Sequence, residues 1–556
     1  MKRRNFIKKS ALAASLPFVI EGIPFNQLSA YPALNQLARV STNDKILVVI
    51  QMHGGNDGLN TVIPYDRYAE YYNLRPNIAI PNTGGRKYLE MDRLKQLALH
   101  PDMQGFIELY DNARLGIIQN VGYANMNGSH FKGRAIWFGG GGATDRVTSG
   151  WMGRYLKLAY EEGGNTFPDD FPNEIMPDPL GLEFGNEVSL GFHTEDTIPA
   201  AISIDSPEGF FNLIEGLEGY NEEEDIDKIG IPPTALQNSL YKQEMDWILG
   251  LERDTTQYAE RLAQVYNQAT QQEFVTYPTE YPLTAPNNVL RNPISGALRI
   301  IARLVEGGCQ TKIYLVRIGG FDTHVEQVES YDNTLGIHAA LLYHVSAAMK
   351  AFQDDLKARG VEDRVLTCTL SEFGRRAASN GSYGSDHGTV APMFLMGPYK
   401  AGVFGENAKL DALQRGNLPD GQEDLIDYRD VFSDILVNWF GLEAARIPDV
   451  FVDYDYNPNS ILTSIEDVQS TRFNLRACYP NPVRNETTFS FYMDKPAHVK
   501  LGLYDLKGNL VKVLMNQVKG FGEYQVRADL SDLKSGTYIY SIEAGYLKDS
   551  KKLVKV

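Results

Sequence analysis

Cysteine is nearly absent from this chain. Cys309, Cys368 and Cys478 stand far apart and no CxxC occurs, which argues against a disulfide framework or a thiolate zinc site. Cys368 lies within the apolar run RVLTCTL and reads as a small buried hydrophobe. Beyond the first twenty-odd residues no apolar stretch is long enough to span a bilayer, so no transmembrane segment is expected in the mature protein. Positive charge is also in deficit: 53 Lys and Arg against 70 Asp and Glu give a net charge of −17, which argues against nucleic acid as a partner. There is no GxSxG elbow for an α/β-hydrolase triad and no Walker loop. The GGGG run at 139–142 lacks the strand-to-helix setting of a dinucleotide fingerprint.

What is present is ample material for a core. The 556 residues are 43% hydrophobic and 22% charged, as in globular proteins of two or three domains. The chain opens with MKRRNFIKKSALAASLPFVI, a basic head before a short apolar run, which reads as an export signal over residues 1–30. Its Arg3-Arg4-x-Phe6-Ile7-Lys8 resembles the twin-arginine signal. The alternative is an ordinary general secretory signal.

Charge and texture change near residue 474. From 471 onward the chain carries 14 Lys and Arg against 8 Asp and Glu, a net of +6, which leaves −23 for the rest. Short alternating segments with Gly turns fill this tail, the pattern of an all-β sandwich. Its YPNPVRN, YDLKGN and LKSGTYIYSI motifs resemble the C-terminal sorting domain (type A) of the type IX secretion system. That resemblance implies export across the outer membrane of a Bacteroidetes-type bacterium, secretion or surface attachment, and removal of the tail after passage. Substrates of that system typically use the general secretory route first, so both inner-membrane routes stay open.

Between these ends, KILVVIQM (45–52), ARLGIIQNVGY (113–123), TKIYLVRIGG (311–320), RVLTCTLSEFG (364–374) and APMFLMG (391–397) are continuous apolar runs bounded by glycines. They read as strands buried on both faces of a mainly parallel sheet. Helical patterns at 294–308 and 337–360 alternate with them, which predicts an α/β doubly wound domain. Residues 160–290 are rich in Pro, Asp, Glu and Tyr, with an acidic block at 221–227 and a helical pattern at 240–269. They read as an insertion, either a cap over the sheet or a solvated elaboration.

Ligands of open α/β sheets bind beyond the carboxyl ends of the strands, and those ends are where the acids and histidines fall. HGGNDGLN carries His53, Asp57 and Asn60. NGSHF carries Ser129 and His130. FDTHVE carries Asp322, His324 and Glu326. SEFGRR carries Glu372 and Arg375, and SDHGTVAP carries Asp386 and His387. Carboxylates with imidazoles suit zinc, and carboxylate-rich sets suit manganese or magnesium. Two such ions can bracket a displacement at phosphorus or sulfur, and a serine beside a metal can act as nucleophile. Each residue also has a plainer role open to it. Asp57 and Asn60 can cap a helix or hold the glycine turn, and Ser129 can cap the following helix. Asp322 and His324 can close a turn, Asp386 can be a turn acid, and His387 a satisfied polar group. Arg375 can pair with Glu372 or bind an anionic substrate, and His53 can face the pocket or pack.

GGNDGLNTVIPY, NGSHF, GGFDTH, SEFGR and DHGTVAPMFLMG, in this order, resemble the bacterial family called domain of unknown function 1501, over residues 44–445. That family is placed in the alkaline-phosphatase-like superfamily with the sulfatases. The resemblance implies an α/β/α sandwich with a two-metal site. It implies Asp57, Asp322 and His387 as metal ligands and Ser129 as nucleophile. The superfamily expects a histidine four residues after Asp322, where this chain has Glu326 and offers His324 instead. Glu372 stands where a later strand would end in Asp-His. The expectation is a secreted hydrolase of phosphate or sulfate esters. It would use divalent zinc, manganese, calcium or magnesium held by Asp57, Asp322, His324, Glu372 and His387, with Ser129 and Arg375 catalytic and Asn60, His130, Glu326 and Asp386 as further candidates. The alternative is a non-catalytic surface binding or assembly protein on a hydrolase-like scaffold. The family is often encoded beside a second one, domain of unknown function 1800, which would fit a two-protein surface system.

Overall fold

The computed structural model describes residues 44–211, 258–456 and 473–556 apart from isolated positions, with two-residue strands at Val19–Ile20 and Ile23–Pro24. Most of the export-signal segment, the acidic block at 221–227 and the first part of the helix expected at 240–269 lie outside the described residues. Its described part is helical over 258–268.

Nine strands form the main sheet. They are β1 (Ile46–Met52), β2 (Leu115–Gly122), β3 (Gly181–Phe184), β4 (Ala201–Ile204), β5 (Ile313–Ile318), β6 (Val365–Leu370), β7 (Ala391–Met396), β8 (Gly402–Phe404) and β9 (Ile426–Asp427). Their order is β8-β2-β7-β6-β1-β5-β3-β4, with β9 also on β2, and every pairing is parallel except the two made by β7. All five apolar runs are therefore strands. The 160–290 segment is more than an insertion, because its four-residue strands β3 and β4 extend the sheet beyond β5.

Strand β1 shows why the sheet must be covered on both sides. All seven of its residues are buried. Ile46, Val48, Ile50 and Met52 enter one apolar cluster with α2 (Gln104–Asp111), α5 (Ser295–Glu306) and α6 (Ile337–Ala358), while α1 (Tyr68–Leu74) packs through Tyr71 in a separate cluster. Leu47 and Val49 enter a second cluster with α3 (His130–Gly139), α4 (Trp151–Glu161) and α7 (Tyr428–Asp434). Each large aliphatic side chain so buried contributes about 1.5–3 kcal/mol, and the period-two alternation divides them between the two layers. The result is the α/β/α sandwich expected from the sequence.

The tail is a separate β-structure with a core of its own. β10 (Phe473–Leu475), β11 (Glu486–Met493) and β14 (Gly522–Asp529) make one antiparallel sheet. β12 (Ala497–Tyr504), β13 (Leu510–Lys519), β15 (Gly536–Ala544) and β16 (Leu547–Lys555) make the other. In β11, Thr487, Phe489, Phe491 and Met493 are buried in strict alternation, the half-buried pattern of a sandwich strand.

Register decides which loops meet. Gln51 pairs with Leu370 and Met52 with Ile318, so residues 53–57, 371–375 and 319–327 leave the sheet side by side. Because β7 runs antiparallel, its beginning lies at this same edge, with Ala391 opposite Val121 near the end of β2. The 385–390 and 123–130 loops therefore join the other three.

Candidate metal centre

Close approach of these loops depends on glycine. Gly54 has φ +124°, and a Cβ there would lie 2.2 Å from the Asp322 nitrogen. Gly55 has φ +88°, and its Cβ would lie 2.5 Å from the Phe373 ring. A side chain at either position would both strain the backbone and push these loops apart.

Four histidines and three carboxylates gather at this edge. Glu372 Oε1 sits 2.9 Å from His53 Nδ1, 2.9 Å from His130 Nδ1 and 2.8 Å from the Gly54 amide. Asp322 Oδ1 sits 3.2 Å from both His324 Nε2 and His387 Nε2, and Asp322 Oδ2 is 3.4 Å from His130 Nε2. His324 Nε2 and His387 Nε2 are 2.8 Å apart. On the far side of these rings, His387 Nδ1 meets the Gly128 carbonyl at 2.6 Å and His324 Nδ1 meets Asp386 Oδ1 at 3.3 Å.

These partners fix the tautomers. A carbonyl or an ionised carboxylate only accepts, so the facing Nδ1 must carry the proton. Glu372 is ionised: burial raises its pKa, but hydrogen bonds from His53 and His130 more than offset this and leave it below the usual value. Asp386 is also held low, chiefly by its bond from Asn380. Burial lowers the pKa of His387, which favours the neutral ring. With Nδ1 of His130, His324 and His387 each facing an outer acceptor, it is their three Nε2 atoms that face inward. All three turn toward the Asp322 carboxylate, whose pKa stays low because the Arg375 hydrogen bond and charge outweigh desolvation. Three ring nitrogens crowded on one carboxylate need positive charge between them, carried by ring protons or by a metal ion. Two buried atoms, His130 Nε2 and Glu372 Oε2, have no hydrogen-bond partner, which is the condition expected of donors that wait for an ion.

The donor set fits a divalent ion. Three imidazoles with one carboxylate is a zinc-type set, and carboxylate or carbonyl groups on the opposite ring nitrogens are the usual outer supports. Two overlapping groups of ligand atoms lie within coordinating reach, His53-His130-Glu372 and His130-Asp322-His387.

Five of the expected residues therefore meet here: His130, Asp322, His324, Glu372 and His387. Asp386 stands behind His324. His53, which the sequence left between pocket and packing, also joins. Ser129 is exposed, directly before His130, and caps α3 through a 3.5 Å bond from the Lys132 amide.

The structure does not bring Asp57, Asn60 or Glu326 to this cluster. Asp57 is fully buried and accepts from Arg75 Nη1 at 2.7 Å on each oxygen and from Gln327 Nε2 at 2.6 Å. It also accepts from the Asn60 amide at 3.3 Å, so its oxygens are engaged by protein donors. Asn60 is buried between Arg75, Tyr71 and the Ile78 carbonyl. Glu326 has φ +53° and is exposed on the turn past His324. Arg375 is buried, and its guanidinium donates to the carbonyls of Gly54, Gly55, Phe321 and Ser385 and, at 2.5 Å, to Asp322. It ties the loops together and is not free to clasp a substrate.

Sequence reasoning passed over Arg75, Gln327 and His338. His338 is buried with Nε2 3.1 Å from Asn56 Oδ1, and desolvation pushes its pKa down to about 4. The one available signal was its place on the first turn of α6, directly before the apolar residues Ala339–Leu342.

Two family profiles match the chain. One, protein of unknown function (DUF1501), matches residues 242–408, and the other, secretion system C-terminal sorting domain, matches residues 477–556. Both domains expected from the motifs are thus found in this chain. The sorting domain marks it for export, to secretion or surface attachment, and implies interaction with the type IX machinery. No helix among the described residues is long and apolar enough to cross a membrane. No curated protein matches the chain. Solved structures similar to it include a protein in the alkaline phosphatase superfamily from Vibrio parahaemolyticus, at 10% identity over 89% of this chain and 92% of that one, with a TM-score of 0.29. Another is the PsFucS1 sulfatase from Pseudoalteromonas sp., at 10% identity over 90% and 88%, with a TM-score of 0.32. A third is the alkaline phosphatase from the Antarctic bacterium TAB5, at 10% identity over 65% and 95%, with a TM-score of 0.26.

Proposed function

We propose that this exported protein is a metal-dependent hydrolase of phosphate or sulfate esters. The observation that carries this reading is the convergence of the Nε2 atoms of His130, His324 and His387 on the Asp322 carboxylate, at 3.4, 3.2 and 3.2 Å. These four residues would hold the ion. Glu372 and Asp386 orient His130 and His324, and the orphaned Glu372 Oε2 with His53 offers donors for a second ion. When bound, a divalent ion supplies Lewis-acid polarisation of a phosphoryl or sulfuryl oxygen. Asp322 is about half exposed, side chain 49%, so the cluster is open to solvent on the side where an ester would enter. We assign Ser129, exposed and next in sequence to His130, as the attacking hydroxyl. Arg375 holds Asp322 and three backbone segments in register, a positioning role and not an anion-binding one.

The test is elemental analysis of the purified full chain, wild type beside Asp322→Ala/His387→Ala, followed by assays on aryl phosphates and aryl sulfates. One or two equivalents of zinc or manganese, absent from the double variant, together with metal-dependent turnover, are expected. Absence of bound metal and of uptake on titration would overturn the reading. Metal binding without turnover on either ester class would favour a surface binding protein on the same scaffold.

A further inference from the structure

Behind the histidine cluster lies a buried polar hub that the chemistry above does not use. Its centre is Gln327, fully buried five residues after Asp322. Its amide nitrogen donates to Asp57 Oδ2 at 2.6 Å. Its amide oxygen accepts from the Thr323 hydroxyl at 3.0 Å and from the Ser385 hydroxyl at 2.7 Å. Thr323 lies between Asp322 and His324, and Ser385 immediately precedes Asp386 and His387. The third partner, Asp57, is held by Arg75, whose Nε and Nη2 donate to the carbonyls of Ala377 and Arg376 at 2.8 and 2.5 Å. One planar amide therefore joins the segment bearing Asp322 and His324, the segment bearing His387, and the turn after β1, which Arg75 links to the 375–377 loop.

We propose that Gln327 is a positioning residue of the candidate metal centre: its amide sets the separation of the Asp322/His324 and Asp386/His387 loops, and hence the ligand geometry. This rests on the metal reading above. The physical case is one of satisfaction. An amide presents a donor on one side and an acceptor on the other, so it can face a carboxylate and two hydroxyls at once. A carboxylate in its place would oppose Asp57, and an apolar side chain would leave Asp57 short of a donor and two hydroxyls short of an acceptor. The loops would then be free to separate by the few tenths of an ångström that ligand geometry does not tolerate. Loss of such an outer support typically lowers metal affinity by about 10–100-fold.

The experiment uses the full chain and cobalt(II) as a spectroscopic probe, with zinc competition to give affinity. Gln327→Leu is compared with wild type and with Tyr277→Phe. Tyr277→Phe removes a buried hydrogen bond to Asp355 (3.0 Å) near the far end of α6 and serves as a stability control. The expected result is a cobalt(II) visible spectrum altered in Gln327→Leu and an affinity about 10–100-fold weaker, with Tyr277→Phe unchanged in both. Unchanged spectrum and affinity in Gln327→Leu would overturn the proposal and leave the metal reading standing. A wild type that takes up neither metal overturns the metal reading itself, and with it this one. If Gln327→Leu does not fold, Ser385→Ala removes only the 2.7 Å bond and carries the test, with a shifted spectrum supporting the proposal and an unshifted one refuting it.

Discussion

Asp57 and Glu372 follow adjacent parallel strands, both are fully buried, and both are held ionised. Their surroundings differ in kind. Asp57 meets a guanidinium, an amide and a backbone N–H, and desolvation is offset mainly by the Arg75 charge. Glu372 receives three donors on one oxygen, two of them imidazoles, and its other oxygen has no partner. A closed carboxylate is a brace. An open one, bonded to a ring whose other nitrogen also lacks a hydrogen-bond partner, has the form of a binding group. The same residue class at the same sheet edge thus serves two ends, and the partners, not the position, decide which.

The sharpest way to break this contrast is to open the closed side. Arg75→Met leaves Asp57 buried without its cation. The expected loss is about 3–5 kcal/mol, the cost of breaking one half of a buried pair, read as a lower midpoint in urea unfolding. Glu372→Gln should cost far less, because Glu372 has no such cation to lose. Equal losses in the two variants would remove the distinction.

Next in size is a pH effect from the closed side. The Nε2–H of His338 donates to Asn56, and its buried Nδ1 has no partner, so a second proton would find no acceptor. Burial lowers its pKa from 6.5 to about 4. The unfolded chain binds a proton below pH 6.5 that the folded chain refuses until about pH 4. Its share of stability is therefore fully present above pH 6.5 and falls between these limits, by roughly 3 kcal/mol in all. His338→Gln should flatten that part of the stability–pH curve in urea titrations at pH 7, 5.5 and 4.5. An unchanged slope would contradict the assignment.

The open side is sharpened by adding metal. An ion that binds only the folded chain stabilises it by about 2.7 kcal/mol at a hundred times its dissociation constant. Thermal unfolding with and without zinc should show this rise in wild type and a much smaller one in Glu372→Gln, which loses the carboxylate that orients His130. Arg75→Met, if it folds, should keep some zinc-induced rise.

Much of this was legible in the sequence. Continuous apolar runs named the strands, and the parallel-sheet rule placed the acids and histidines that follow them at one edge. His324, Glu372 and His387 follow from that reasoning alone. The division between ligand and brace did not, because it depends on Arg75 and Gln327, polar residues with nothing in their local pattern to mark them. Asp57 drew attention by resemblance and by its glycine turn, yet the turn serves Asp322 and Phe373, whose backbone and ring crowd Gly54 and Gly55. Glu326 illustrates the limit of counting along a chain: its positive φ turns the backbone outward just where a fixed spacing would place a ligand. Strands β3 and β4 were hidden for another reason, since four residues are too few for a pattern to emerge from Pro- and Asp-rich surroundings.

The smallest expected effect on stability is the most informative about chemistry. Ser129 is both a helix cap and an exposed hydroxyl next to His130, and the two roles separate by magnitude. Its capping bond is long, 3.5 Å, at the limit of a real hydrogen bond. Ser129→Ala is therefore expected to cost no more than about 0.5 kcal/mol, the low end for a lost cap, and to leave zinc binding unchanged. If Ser129 is the nucleophile, the same variant loses ester hydrolysis at full metal occupancy, a loss that no capping defect of this size can cause. Hydrolysis that persists in Ser129→Ala would assign the serine to α3 alone and require the attacking group to come from solvent.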